Sequence, residues 1–530
     1  MPMKNNLRRT ILSQYPRDYL TFTAVESGTF GFTYFEGAQG KLQYTRNDGI
    51  SWNEVSEDIE VYENEVIKFK GNLKPVIATG ETDAKSGGIG TFNSTGQFIA
   101  AGNIMSIIYG DDFGDKTEVP NSAFYRLFRN CDKLISIENL KLPATKLNNW
   151  CYYALFAYCT GLTSIPEKLL PATKLANYCY YSMFYGCTGL IEIPENLLPA
   201  TTLTESCYQY MFAGCKKIIS IPQKLLPSIK VTNFVYRYMF SDCTSLTSIP
   251  DNFLPATTIS SYCYQAMFSN CTSLTSIPEN LLPAKTLKTI CYFEMFSGCS
   301  SLIDIPENLL PATTLAHKCY GYMFAGCISL VNIPKNLLPS TTVADYCYWG
   351  MFSGCKSLVE TPELPATTLV NNCYDSMFKN CTSLTTIPIK LPAITLTNYC
   401  YAYMFNGCTS LTTIPENLLP ATTLTSNCYI NMFQGCTSLT EAPELPATTL
   451  ATNCYSYMFY KCTNLNYIKA LFTTEPGTDY TTHWVNNVAS TGTFVKNSEA
   501  TWDVTGTNGI PSGWTVETVD VEEVENNETA

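Results

Sequence analysis

Between residues 121 and 468 one phrase recurs. Written from Cys263 it reads CYQAMFSNCTSLTSIPENLLPATTL. Taking the first cysteine as offset 0, equivalent positions fall at Ala123, Cys151, Cys179, Cys207, Val235, Cys263, Cys291, Cys319, Cys347, Cys373, Cys400, Cys428 and Cys454. The step is 28 residues, shortened to 26, 27 and 26 in three copies. All three deletions fall where IPENLLPA becomes TPELPA, IPIKLPA or APELPA, which marks that stretch as a surface loop. No copy of this size can bury an apolar face alone. Thirteen stacked copies can, so the expected fold is a repeat solenoid with one continuous core.

Within a copy, apolar residues occupy offsets 0, 1, 4, 5 and 8, which predicts one face of a short helix. Offset 5 is Phe in all thirteen copies, and offset 4 is Met in eleven and Leu in two. Gly or Asn often stands at offset 7, as at Gly298 and Asn270, the residue type of a left-handed helix stop. LTSIP then reads as a short strand with offset 13 turned outward, and its proline blocks extension. LPATTL adds a second extended piece. Expected core positions include Phe240, Phe268, Phe296, Cys263, Cys271, Cys291 and Cys299.

The phrase MFSNCTSLTSIP resembles the BspA-like leucine-rich repeats, with Met where that family usually has Ala and with a longer unit. The resemblance covers about residues 121–468. It implies a leucine-rich-repeat solenoid, a short strand plus a short helix per 26–28-residue repeat in 13 copies. It also implies binding to host proteins, glycans or other cells, without catalysis.

All 24 cysteines lie in the repeats, eleven at offset 0 and thirteen at offset 8. Offset 0 accepts Val235 and Ala123 with no change of partner elsewhere, so it reads as a packing column. Buried free thiols are the expectation. A spacing of eight does not suit a zinc knuckle, and only His317 and His483 are at hand, so no metal site is assigned.

The flanks differ. Residues 1–18 form an arm containing Arg8, Arg9 and Arg17, and 19–72 alternate like a small β-sandwich, an N-terminal all-β attachment module with a hairpin signal at Asn47-Asp48-Gly49. Residues 73–120 are expected to cap the first copy, 469–515 to cap the last, and 516–530 to be an acidic disordered tail. The flanking modules resemble those of surface proteins of gut bacteria and their phages.

A formal charge of −12 argues against nucleic acid and anionic membranes as partners. No apolar run of signal-peptide or membrane-span length is present, so membrane insertion is not expected. No nucleophile elbow, phosphate loop or zinc-protease motif occurs, so neither catalytic residues nor a cofactor are assigned. The carboxylates after the strand proline, such as Glu279 and Glu307, read as a solvated turn edge. Tyr at offset 1, present in twelve copies, reads as packing with its hydroxyl reaching water. Ligand choice belongs in exposed offsets that vary. Those are Tyr210, Tyr238, Glu294, Tyr322, Tyr403 and Tyr457 at offset 3, and Glu192, Asp304, Asn332 and Glu360 at offset 13. The expected role is a virion-borne receptor-binding or adhesion protein, a phage tail or head fibre component. It would bind a host surface protein or glycan through the array and other virion proteins through the N-terminal module. A bacterial cell-surface adhesin, a ligand-free virion decoration protein and self-association stay open.

Overall fold

The computed structural model describes residues 18–78 and 87–520; of the N-terminal arm it includes only Asp18, and residues 521–530 of the tail lie outside it. The chain divides into two compact units between Pro227 and Ser228.

In the first unit, strands β1 (Leu20–Ala24), β2 (Gly28–Tyr34), β3 (Leu42–Thr45), β4 (Asn53–Glu54), β5 (Ile59–Val61) and β6 (Val66–Gly71) precede β7 (Gly90–Ser94) and β8 (Phe98–Asn103). β1 lies between β6 and β8, both antiparallel to it. β2 lies between β5 and β7, again antiparallel. The sheets therefore run across residue 72, and 19–72 shares its pairing with 87–103. Period-two burial in β1, with Leu20, Phe22 and Ala24 inward, gathers Phe22, Phe69, Phe92 and Phe98 with ring centroids 4.8–5.2 Å apart. Phe92 then stacks on Phe128 of the first copy at 5.6 Å, and the Phe92 N–H donates to the Leu127 carbonyl. β8 pairs in parallel with β9 (Leu134–Ser136) and β10 (Leu140–Lys141), both in that copy.

The CYxxMFxxC segments are not α-helices. In the copy anchored at Cys263, the N–H groups of Gln265, Met267, Ser269 and Cys271 donate to carbonyls three residues back, at 3.2–3.4 Å. The alternate N–H groups, of Tyr264, Ala266, Phe268 and Asn270, donate to Cys291, Phe293, Met295 and Ser297 of the next copy at 2.7–3.1 Å. Tyr262, Ala266 and Asn270 all have left-handed φ, between 51° and 60°. A left-handed residue at every fourth position prevents an i→i−4 ladder. The segment is a chain of tight turns of period four, two residues in and two out, called here a turn coil. The apolar offsets 0, 1, 4, 5 and 8 satisfy this period as well as 3.6. The Gly or Asn at offset 7 is left-handed as expected, as one of three such residues per coil rather than a helix stop.

The extended segments are also sparser than expected. After β10, LTSIP contributes single parallel rungs, such as Val331 N–H to the Ile303 carbonyl at 3.1 Å and the bridge Asp304↔Asn332. LPATTL contributes Thr286↔Thr314 and Thr423↔Thr449. Proline closes each run, and the following turn, Leu309 N–H to the Pro306 carbonyl at 3.2 Å, carries the chain back.

Columns of like residues fill the interior of each unit. Phe rings at offset 5 stack at 5.7–5.8 Å from Phe240 through Phe268 to Phe296, 4–7° from parallel. Phe240, Phe268, Phe296, Cys263, Cys271, Cys291 and Cys299 are all fully buried. All 24 cysteines are buried and free. The two cysteine columns differ. At offset 8 the thiol donates to the offset-5 carbonyl of the preceding copy: Cys271 Sγ to Phe240 O at 3.3 Å and Cys299 Sγ to Phe268 O at 3.2 Å. This is the physical reason why offset 8 never varies while offset 0 accepts Val and Ala. The tyrosines at offset 1 correct the sequence reading. They are 1–2 % exposed and stacked at 5.5–6.1 Å, and the hydroxyls of Tyr152 and Tyr401 are buried with no protein hydrogen-bond partner.

At the end of the second unit β11 (Tyr467–Ala470), β12 (Thr493–Asn497) and β13 (Thr515–Val519) form a parallel sheet. Val516–Val519, placed by the sequence in the tail, belong to β13. Residues 480–488 form one more turn coil without Cys, Met or Phe. The N–H groups of Tyr455, Tyr457 and Phe459 donate to Tyr480, Thr482 and Trp484, and His483 and Asn487 are left-handed. Trp484, wholly buried and tied through Nε1 to the Gly509 carbonyl at 2.9 Å, closes the core.

Two predictions follow from this backbone. Ala266→Gly is expected to leave stability unchanged or raise it by up to about 1 kcal/mol, because glycine adopts left-handed φ freely. A helix would lose about 1 kcal/mol from the same change, and urea unfolding of the intact chain distinguishes the two. Cys291→Val is expected to cost under about 1 kcal/mol, whereas Cys299→Val, which leaves the Phe268 carbonyl short of a donor, costs about 1–3 kcal/mol in the same measurement.

Candidate functional site

The outward offsets of the turn coils hold a series of rings with cations set over some of them. In the second unit Tyr238, Glu294, Tyr322, Tyr403 and Tyr457 are half-buried, with left-handed φ of 51–57° that fixes where each side chain leaves the coil. They are joined by residues the sequence reading passed over, at offsets −1, 2 and 6 and in the coil that follows the last copy. Tyr322 meets Trp349 at 4.7 Å, Tyr346 meets Trp349 at 5.5 Å, and Lys318 lies over both Tyr346 and Trp349 at 4.9 and 5.1 Å. Arg237 covers Tyr238 at 5.1 Å, Lys379 covers Tyr403 at 5.1 Å, and Tyr457 approaches His483 at 5.5 Å. Burial pushes the Glu294 carboxyl above its ordinary value, partly offset by Arg237. Asp375 is likewise raised by burial, while accepting from Ser376 Oγ at 2.6 Å and Asn372 Nδ2 at 3.2 Å.

In the first unit the corresponding offsets form a cleft of about 280 Å³. Its walls are Tyr153, Tyr158, Tyr181, Tyr185 and Tyr210, with Arg126 and Arg129 at one side. Tyr125, Tyr153 and Tyr181 stack at 4.6 Å, and Trp150 stacks on Tyr178 at 5.4 Å. Of the expected ligand residues only Tyr210 lies here. The others were findable: rings at offsets −1, 2, 6 and 7 cluster in the first copies, but a helical reading scatters those offsets around an axis.

The offset-13 residues Glu192, Asp304, Asn332 and Glu360 are exposed on the extended segment. Asp304 and Asn332 are bridge partners. Glu360 pairs with Lys335 at 3.6 Å beside a shallow hollow of about 530 Å³, where shortened loops leave room. The turn-edge carboxylates are exposed or, at Glu444, half-buried against Lys469. Among the described residues no group of three His, Cys, Asp or Glu is placed to hold a metal ion, and no helix is long and apolar enough to cross a membrane.

The repeat register, with its Phe and Cys columns, matches a known family. The BspA type leucine rich repeat region (6 copies) matches residues 117–225, 154–306, 205–350, 319–417 and 401–475, about two thirds of the chain together. The chain belongs to the BspA-type leucine-rich repeat family. Such repeats are in general non-catalytic scaffolds for protein interaction, typically at surfaces or outside cells, and suggest adhesion or protein binding. None of the curated proteins matches the chain.

The chemistry of the BspA-type core fits a scaffold. Burial pushes the thiols of Cys263 and Cys299 up to about 12, and others further, so few thiolates form at neutral pH. Buried tyrosines such as Tyr264 and Tyr292 are raised well above their ordinary value for the same reason. These shifts set a pH dependence. The folded state holds protons that the unfolded chain releases above the ordinary thiol value near 9.0. Their stabilisation is therefore complete below that pH and is lost as pH rises towards the folded values, by about 1.4 kcal/mol per pH unit per thiol. Thermal melts are expected to be flat from pH 6 to 8 and to fall steeply above 9. A flat profile to pH 11 would contradict the buried thiol columns.

Proposed function

We propose that this protein is an adhesion or receptor-binding protein that engages a protein or glycan on a host-cell surface through the outward face of its turn coils. The observation that carries this reading is the band of rings and cations on that face, with Tyr322, Trp349 and Lys318 in mutual contact, above an interior that hardly changes between copies. Rings with few rotatable bonds lose little entropy on binding, which suits them to recognition. Family membership supports the same role. The finer part of the proposal is that the protein is carried on a phage virion, as a tail or head fibre component, with the N-terminal strands contacting other virion proteins. The likeness of the flanking modules to phage and gut-bacterial surface proteins supports it. Mass spectrometry of purified virions tests this; absence there, with display on a bacterial surface, would make the protein a cellular adhesin.

The intact chain carrying Tyr210→Ala, Tyr238→Ala and Tyr322→Ala together is expected to bind host cells about tenfold or more weakly while melting within a few degrees of the parent. Alanine at Glu192, Asp304, Asn332 and Glu360 together should leave binding intact. The opposite pattern would move the site to the extended edge. Incorporation into virions with no cell binding would leave a decoration protein.

A further inference from the structure

Resting on that reading, the aromatic cleft of the first unit identifies a ligand class. We propose that it binds an acidic sugar residue of a surface glycan, its carboxylate held by Arg126 and Arg129 and its ring laid against the tyrosine walls. Three observations support this. The first is charge. The chain carries −12 overall, yet residues 121–227 hold ten lysines and arginines against six acids, and no carboxylate lines the cleft among the described residues. The second is the setting of the guanidinium groups. Arg126 lies over the rings of Tyr125 and Tyr153 at 4.9 and 5.7 Å, and Arg129 over Tyr158 at 5.6 Å. A guanidinium set among rings at a cleft is suited to bidentate contact with a carboxylate. Arg129 lines the cleft with its Nε buried and without a hydrogen-bond partner.

The third is the shape of the cleft. About 280 Å³ is at the small end for ligand pockets, suited to one compact ring rather than an extended segment. The walls are flat rings, Tyr153 on Tyr181 at 4.6 Å and 6° from parallel, with Tyr210 at 5.6 Å beyond. Tyr125 and Tyr181 cover the two faces of Tyr153, so that ring offers its phenol edge to a sugar's hydroxyls, and the apolar side of the sugar meets the less buried rings of Tyr158, Tyr185 and Tyr210. A peptide strand would need free main-chain groups to pair with. In these coils the N–H groups of Arg126, Ala154 and Ser182 are already donated to the next coil at 2.7–2.8 Å.

The test uses the intact chain and two pairs of oligosaccharides. One pair ends in glucuronate or its carboxyl-reduced form. The other ends in N-acetylneuraminate or its carboxyl-reduced form. Titration calorimetry at pH 7 is expected to show binding of at least one acid, weakened about tenfold or more on carboxyl reduction and falling with added salt. Arg129→Gln and Arg126→Gln should each weaken the acid about tenfold at unchanged melting temperature, with Arg129→Lys recovering part of the loss. Equal binding of acid and reduced forms, or binding of neither acid, would overturn the inference. So would capture of a phosphotyrosine peptide in place of both sugars. If the parent binds host cells and Arg126→Gln/Arg129→Gln binds them equally well, the inference fails while the adhesion reading stands. If the parent binds neither cells nor sugars, both fall.

Discussion

Alternate peptide N–H groups in a turn coil are donated to the coil that follows, and those between them to carbonyls three residues back. Neither set would suffice alone. The inner set makes isolated tight turns that have no cooperative length, and the outer set needs a second coil already in register. Local turn and neighbour contact are therefore one structure. The left-handed residues, the two-in, two-out alternation and the stacking of like on like all follow from that division of donors. It also explains why little of the array is regular secondary structure although its core columns are fully buried.

The same division accounts for the sulfur. At offset 5 the phenylalanine carbonyl accepts a turn N–H from its own coil, as Cys271 N–H does to Phe268 at 3.2 Å, and has a second lone pair facing the next coil. A thiol is small, apolar enough for the interior and able to donate, so Cys299 Sγ completes that acceptor at 3.2 Å without bringing in a strongly hydrated group. Offset 0 has no regular contact of this kind, Cys347 Sγ reaching the Cys373 carbonyl only at 4.0 Å, and Val235 and Ala123 sit there as well as cysteine does. Two columns of the same residue thus have different causes.

The repeat, its register and its interior columns were legible in the sequence because stacking forces like residues into like places. The backbone of the coil was not. Apolar residues at offsets 0, 1, 4, 5 and 8 fit a period of 3.6 or of four, and tyrosine at offset 3, as at Tyr322, gives no hint of left-handed φ. Gly298 and Asn270 gave that hint at offset 7 only. The buried hydroxyls of the offset-1 tyrosines were missed for the same reason, since a helix would have turned their ends outward. Of the outward rings and cations, Tyr210, Tyr238 and Tyr322 were singled out in the sequence by their variability. Trp349 and Arg129 were not, because they become neighbours of those rings only once the true period is known, and Arg126 was passed over although it stands in the same offset-3 column.

The left-handed positions also restrict what the outer face can become. Across thirteen copies offset 3 carries Arg, Ala, Ser, Tyr, Glu, Gly and Asn, and never Val, Ile or Thr. Branching at Cβ is the feature that this backbone tolerates least. The alphabet open to offset 3 is therefore one of rings, charges and small groups, although the left-handed offset −1 does admit one branched aliphatic residue, Ile290 with φ 57°. A lineage exploring new partners on this scaffold draws from that alphabet, and in doing so it does not drift towards the greasy, β-prone surfaces on which exposed repeats aggregate.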